Sequence, residues 1–97
     1  MARLIYGASA LDGLERAFAA LRTQDPPAAE RAVHAIVSAV DNLSTHPLMG
    51  PRIDDEIREL VISYGATGFL ALYRFVVARD EVRVLAVRQQ RGLGYLP

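Results

Sequence analysis

The chain has 97 residues, eleven basic and eleven acidic, with 52% hydrophobic and 23% charged side chains. That composition gives one globular domain, spanning 1–97, large enough to bury roughly 60–65% of its unfolded surface, and it excludes a disordered chain. No apolar run approaches the roughly 18 residues of a membrane-spanning helix, the N-terminus lacks a secretory h-region, and the neutral total argues against a broad phosphate-binding surface. Cysteine is absent, so there is neither a disulfide nor a thiolate nucleophile, which suits a cytoplasmic protein.

In chain order, Arg3 to Tyr6 is short and β-favouring and reads as a strand. Ser9-Ala10-Leu11-Asp12 resembles a helix start, with the serine oxygen able to accept from the free amides of the first turn. Leu11, Leu14, Phe18 and Leu21 recur at spacings of three and four and define one helical face, while Asp12, Glu15, Arg16 and Arg22 fall largely on the other. Gly13 weakens that helix by about 1 kcal/mol relative to alanine. Asp25 sits where an N-cap belongs, followed by Pro26-Pro27, which need no amide partner in a first turn. Val33, Ile36, Val37, Val40 and Leu43 then repeat with helical period, and His46-Pro47 ends the pattern. Two helices joined by so short a turn make an antiparallel hairpin. Leu48 to Asp55 is a loop carrying Gly50-Pro51.

Three strands follow: Arg58 to Tyr64, Phe69 to Val77 and Glu81 to Arg88. The turns between them, Gly65 to Gly68 and Ala78 to Asp80, are short enough to require antiparallel neighbours. The order is β-α-α-β-β-β, an α+β fold with a helical hairpin packed on an antiparallel sheet and the first strand at an edge or beside a central strand. The expected core is Leu14, Phe18, Val33, Val37, Leu60, Ile62 and Leu72. Both faces of the last two strands are mostly apolar, so one face is expected to await a partner.

Catalytic constellations are scarce. His34 and His46 lie twelve apart with no metal-ligand spacing, and Asp54-Asp55-Glu56 has no second acidic cluster to make a cage, so no metal and no cofactor are expected. No serine stands in a nucleophile elbow; Gly65-Ala66-Thr67-Gly68 has no following Lys-Ser/Thr and reads as a hairpin turn, and no helix pattern follows Gly92-Leu93-Gly94 to make a dinucleotide site. Asn42-Leu43-Ser44 matches a glycosylation sequon by chance.

The arginines are the informative class, since every basic residue is Arg. Arg58 opens a strand and Arg74 interrupts an apolar one, either reaching into solvent or meeting a partner. Arg88 and Arg91 flank Gln89-Gln90, followed by the apolar, glycine-hinged tail Gly92 to Pro97. Planar, five-donor guanidinium groups and exposed Tyr and Leu are frequent interface anchors. The candidate partner-binding residues are Arg58, Arg74, Arg88, Gln90, Arg91, Tyr95 and Leu96; no residue is assigned as catalytic.

Several segments in order carry a resemblance. They are Ser9-Ala10-Leu11-Asp12-Gly13-Leu14-Glu15, then Asn42-Leu43-Ser44-Thr45-His46-Pro47 with Gly50, then Arg58-Glu59-Leu60-Val61, Ala71-Leu72-Tyr73-Arg74-Phe75 and Val84-Leu85-Ala86-Val87-Arg88. Along nearly its whole length the chain resembles the RelE/ParE superfamily of toxins from bacterial type II toxin–antitoxin systems, which implies the same β-α-α-β-β-β fold. RelE-like members cut messenger RNA on the ribosome; ParE-like members poison DNA gyrase. This sequence looks ParE-like, because Leu70 stands where the nucleases place an arginine three residues before the strand tyrosine. Gln89 and Gln90 stand where they place a histidine or arginine, and lysine is absent. Glutamine cannot act as a general base. The resemblance therefore implies a plasmid-stabilization type of toxin that inhibits gyrase by binding and is not an enzyme. A ParD-like or similar DNA-binding antitoxin would neutralise it, with no membrane and no sequence-specific nucleic acid as partner. The alternatives are a ribosome-dependent mRNA endonuclease, or an inactive homologue that only binds antitoxin.

Overall fold

The structure is a computed structural model describing residues 1–64 and 67–90. Its elements are β1 (Arg3–Tyr6), α1 (Ala8–Arg22), α2 (Pro26–Asp41), a 3-10 turn (Asn42–Ser44), β2 (Arg58–Tyr64), β3 (Thr67–Val76), a second 3-10 turn (Val77–Arg79) and β4 (Glu81–Gln90). β1, α2 and β2 follow the expected punctuation. The Asp25 carboxylate accepts from the Ala28 amide at 3.3 Å, and Pro26 and Pro27 occupy the first turn. β4 begins after Asp80, which takes a left-handed φ of 49°, a conformation Asp tolerates better than most residues.

The helix start at Ser9 is corrected: α1 begins at Ala8, with Gly7 as its cap. Gly7 is fixed by its backbone alone, its amide donating to Val84 O at 2.9 Å and its carbonyl accepting from Leu11 N at 3.0 Å. No serine oxygen is required.

The sheet runs β1-β4-β3-β2. β2, β3 and β4 form the expected antiparallel meander, but β1 pairs with β4 in parallel, Arg3 opposite Glu81 through Tyr6 opposite Val84. The sheet is thus mixed and not antiparallel throughout. The reason is connectivity: the helical hairpin returns the chain across one face before β2, the crossover that parallel strands require.

Burial alternates as strand pleating dictates. Leu60, Ile62, Phe69, Ala71, Tyr73, Val82, Val84 and Val87 are buried beneath the helices, which contribute Ala10, Ala17, Ala32, Ile36 and Val40. The step from Val84 to Val87 breaks strict alternation. Leu72 pairs with Ala86 and Tyr73 with Val84, leaving Leu85 as the extra residue of a β-bulge. That extra residue keeps Val87 on the helix side and Arg88 on the other.

The expected core is partly corrected. Leu60 and Ile62 are buried, and Leu14 packs half-buried against the core, but Phe18, Val33, Val37 and Leu72 are only half-buried and lie outside it. α1 is rotated so that Ala10, Gly13 and Ala17 face the sheet. Small residues let the helix axis approach the strands. A Cβ built on Gly13 would lie 2.0 Å from Val87 O, so this glycine is a requirement of packing as well as a cost in helix propensity. Phe18 is covered instead by Arg22, whose guanidinium lies 5.6 Å from the ring centroid.

Candidate interaction surfaces

The face of the sheet away from the helices is open. By register it carries Glu59, Val61 and Ser63 from β2, Leu70, Leu72 and Arg74 from β3, and Arg83, Ala86, Arg88 and Gln90 from β4. Its centre is apolar, with Leu70, Leu72 and Ala86 half-buried and Val61 54% exposed. Arginines stand around that centre.

One carboxylate on this side is already taken. Glu81, 1% exposed, accepts from Arg3 Nη2 at 3.0 Å and Arg83 Nε at 2.8 Å. A carboxylate enclosed by two guanidiniums satisfies its desolvation locally and leaves the corner with an excess of positive charge. Arg74 Nη2 meets Glu56 Oε1 at 3.4 Å, with both side chains largely in solvent, a pairing worth at most about 1 kcal/mol. Arg88 is exposed and has no ion-pair partner among the described residues.

Among the described residues the histidines and tyrosines are elsewhere. His34 is exposed on α2 and His46 in the following loop. Tyr64 is on the helix side and donates to Ala28 O at 3.2 Å. Tyr6 is also on that side; burial, with the Asp41 charge second, raises its pKa above the usual tyrosine value, and its hydroxyl is buried with no partner among the described residues. Tyr73 is fully buried there, donating to Pro47 O and accepting from Gly50 N, each at 2.9 Å. Burial raises its pKa too, opposed by the Gly50 amide and the Arg58 charge. On the open face only Glu59 is a carboxylate not enclosed by arginines, and among the described residues no histidine or tyrosine joins it there.

The residues singled out from sequence therefore separate. Arg88 and Gln90 lie together at one end of the open face, Gln90 opposite Gly68. Arg74 is at the other end, in register with Arg83, five residues and roughly 16 Å from Arg88 along β4. Arg58 is on the helix side and braces the preceding loop, its Nη1 donating to Gly50 O at 2.7 Å and Leu48 O at 3.2 Å. Its side chain still lines a hollow shared with Arg74. Arg91, Tyr95 and Leu96 lie outside the described residues. Sequence reasoning passed over Arg3, Arg83 and Glu81, although the alternation Glu81-Val82-Arg83-Val84 marks two charged residues for one face. A shallow apolar hollow on the hairpin, lined by Leu14, Glu15, Phe18 and Val33, is a separate exposed surface.

Comparison with known proteins decides the family. The family model described as the ParE toxin of the type II toxin–antitoxin system parDE matches residues 4–93. The chain belongs to that family. A curated relative, toxin RelE3 of Caulobacter vibrioides, is 37% identical over 68 residues, covering 70% of this chain and 72% of the relative. The fold is shared with the chromosomal ParDE toxin–antitoxin system from P. aeruginosa, with a TM-score of 0.78 at 22% identity over 94% of this chain and 98% of that one. It is also shared with the intact E. coli RelBE toxin–antitoxin complex, with a TM-score of 0.63 at 13% identity over 94% and 99%. The isolated E. coli RelE toxin gives 0.64 at 14% identity over 98% and 92%. This ParE-family chain is thus a toxin-type domain of the wider ParE/RelE superfamily, and no described helix is long and apolar enough to cross a membrane.

Proposed function

We propose that this toxin acts in the cytoplasm by binding DNA gyrase, without breaking a bond itself, and that a cognate ParD-like antitoxin neutralises it. The observation that carries the reading is the open sheet face, where an apolar centre is ringed by Arg3, Arg74, Arg83 and Arg88 while, among the described residues, the tyrosines and histidines lie off it. RNA cleavage needs a base to take the 2′-hydroxyl proton and an acid to protonate the leaving oxygen. Guanidinium stays protonated and Glu81 is enclosed by arginines, so among the described residues Glu59 alone could act as a base on this face and binding groups outnumber it. Arginine beside apolar surface is the composition of a binding hot spot, where truncation typically costs 2 kcal/mol or more.

Purified toxin should inhibit gyrase supercoiling in the absence of ribosomes, and Arg88→Ala should weaken inhibition at least tenfold without changing the melting temperature. Two observations favour the second reading, a ribosome-dependent endonuclease: Glu59 stands on the open face, and a relative 37% identical over 68 residues carries the name RelE3. If supercoiling proceeds normally, messenger RNA is cut during translation and Glu59→Gln abolishes the cut, the nuclease reading replaces the gyrase one.

A further inference from the structure

The loop from His46 to Ile57 presents an apolar surface that the open face does not use. Leu48 is 60% exposed, Met49 47% and Ile53 52%, and Val77 beyond the end of β3 is 76% exposed. Leu48 and Phe75 wall two adjoining hollows. One, of about 540 Å³, is closed by His46, Pro47 and Met49 and is almost wholly apolar. In the other, of about 420 Å³, Arg52, Arg58 and Arg74 converge beside Asp55 and Glu56.

Exposed loops usually move, but this one is built rigid. The Tyr73 hydroxyl ties Pro47 O to Gly50 N, and Arg58 holds the carbonyls of Leu48 and Gly50. The Glu59 amide donates to Pro51 O at 3.0 Å, and Ile53 N donates to Ile57 O at 2.9 Å. The Asp54 carboxylate accepts from the amides of Ile57 at 2.9 Å and Glu56 at 3.0 Å, bonds that lower its pKa. The ordering cost is met within the fold, so any further ordering falls on what binds there.

The charges select the occupant. Arg52 donates to a carbonyl, Asp55 O at 3.3 Å, and Arg58 likewise has only carbonyl oxygens, while the contact of Arg74 with Glu56 is long and open to solvent. An arriving carboxylate would gain donors from Arg52 and Arg74 in exchange for the exposed Glu56 contact, a single charge set against the nearby Asp55 and Glu56. A nucleic-acid backbone would not fit, because its successive phosphates would meet Asp54, Asp55 and Glu56 along the rim. One carboxylate flanked by bulky apolar side chains satisfies both hollows.

We infer that this cradle seats a short segment of the cognate antitoxin, with one Asp or Glu between Arg52 and Arg74 and an adjacent aliphatic or aromatic side chain against Leu48 and Phe75. The inference rests on the antitoxin pairing proposed above. A preformed cradle matches a segment that folds as it binds, since that segment carries the ordering cost itself. The cradle shares Arg74 with the open face, but Leu48 and Arg52 lie on the loop away from Arg88, so changes there test neutralisation apart from Arg88.

The test uses the full-length toxin and the purified product of the adjoining antitoxin gene. Leu48→Asp and Arg52→Glu, both exposed and outside the core, are titrated with the antitoxin by calorimetry after thermal melts confirm folding. Each should weaken the complex at least tenfold, and cells expressing either variant should die at antitoxin levels that protect against the parent toxin. A compensating Lys in place of the acidic antitoxin residue should restore binding to Arg52→Glu. Unchanged affinity in both variants overturns the inference, as does lost toxicity with antitoxin affinity intact, which would give the cradle to the target. If the unmodified toxin fails to bind the antitoxin at all, the pairing itself is wrong.

Discussion

Gly13→Ala separates helix propensity from packing. In an exposed helix the change would stabilise by about 1 kcal/mol. Here the new methyl would lie 2.0 Å from Val87 O and 2.9 Å from its carbonyl carbon, where an ordinary contact begins near 3.4 Å. The obstacle is the backbone of β4, held at Val87 by its pairing with Ala71 of β3, and it cannot rotate away like a side chain. α1 must therefore lift by about 1.4 Å, opening gaps around Ala10 and Ala17. Overpacking of this kind costs about 1–3 kcal/mol, toward the upper end when backbone must move, so the net effect is a loss of up to about 2 kcal/mol after the gain in propensity. Urea unfolding of the purified domain measures it, with Ala19→Gly on the exposed side of the same helix as control, expected to cost about 1 kcal/mol. If Gly13→Ala raises the midpoint at unchanged slope, the close approach of α1 to β4 is wrong and the glycine is dispensable.

Two further substitutions test the buried tyrosines. Tyr73→Phe removes the acceptor of the Gly50 amide and the donor to Pro47 O, so it should destabilise by about 1–3 kcal/mol in chemical denaturation. Because burial raises the folded pKa of Tyr73, its contribution is whole below the unfolded value of about 10 and is lost as pH rises through the folded one. The phenylalanine variant should therefore lose less stability above pH 10 than the parent; equal losses would mean that another group governs the alkaline limb. Tyr6→Phe deletes a buried hydroxyl that has no partner among the described residues, and should be neutral or stabilising by up to about 1 kcal/mol. A clear loss of stability in the same assay would place an unseen partner at that oxygen.

Elements with local punctuation were readable from sequence. Asp25-Pro26-Pro27 announces α2 because cap and first-turn chemistry is contained in three residues, and β2 is bounded as read because Leu60 and Ile62 alternate with polar or exposed neighbours. α1 was read in the wrong phase for a physical reason. A hydrophobic pattern weights Leu11, Leu14 and Phe18, whereas close packing on β4 selects Ala10, Gly13 and Ala17 for their lack of bulk. The parallel pairing of β1 was illegible, since nothing in Arg3-Leu4-Ile5-Tyr6 specifies which of two edges receives it. An open apolar sheet face was legible from the two-sided hydrophobicity of the last strands, and the position of Arg88 near the end of β4 from its place in the strand. The face on which Arg88 stands was not, because counting by twos from Val84 puts it inside and only the bulge at Leu85 puts it outside. Arg58 was chosen as a strand-opening cation, and its engagement with the Leu48 and Gly50 carbonyls depends on a loop path that composition does not encode.

The placement of β4 bears on synthesis. It lies between β1 and β3, gives α1 its platform, and encloses Glu81 between Arg3 and Arg83, yet it comes last in chain order among the described elements. Until it has been made, β1 has no neighbour and α1 has no strand to rest on. The pairing of Arg3 with Glu81 spans most of the chain, the sort of long-range closure that slows folding. A nascent chain halted before residue 81 thus holds two helices and a hairpin's worth of strand but no open face. A toxin that acts through that face, as proposed, becomes harmful only in the last part of its own translation.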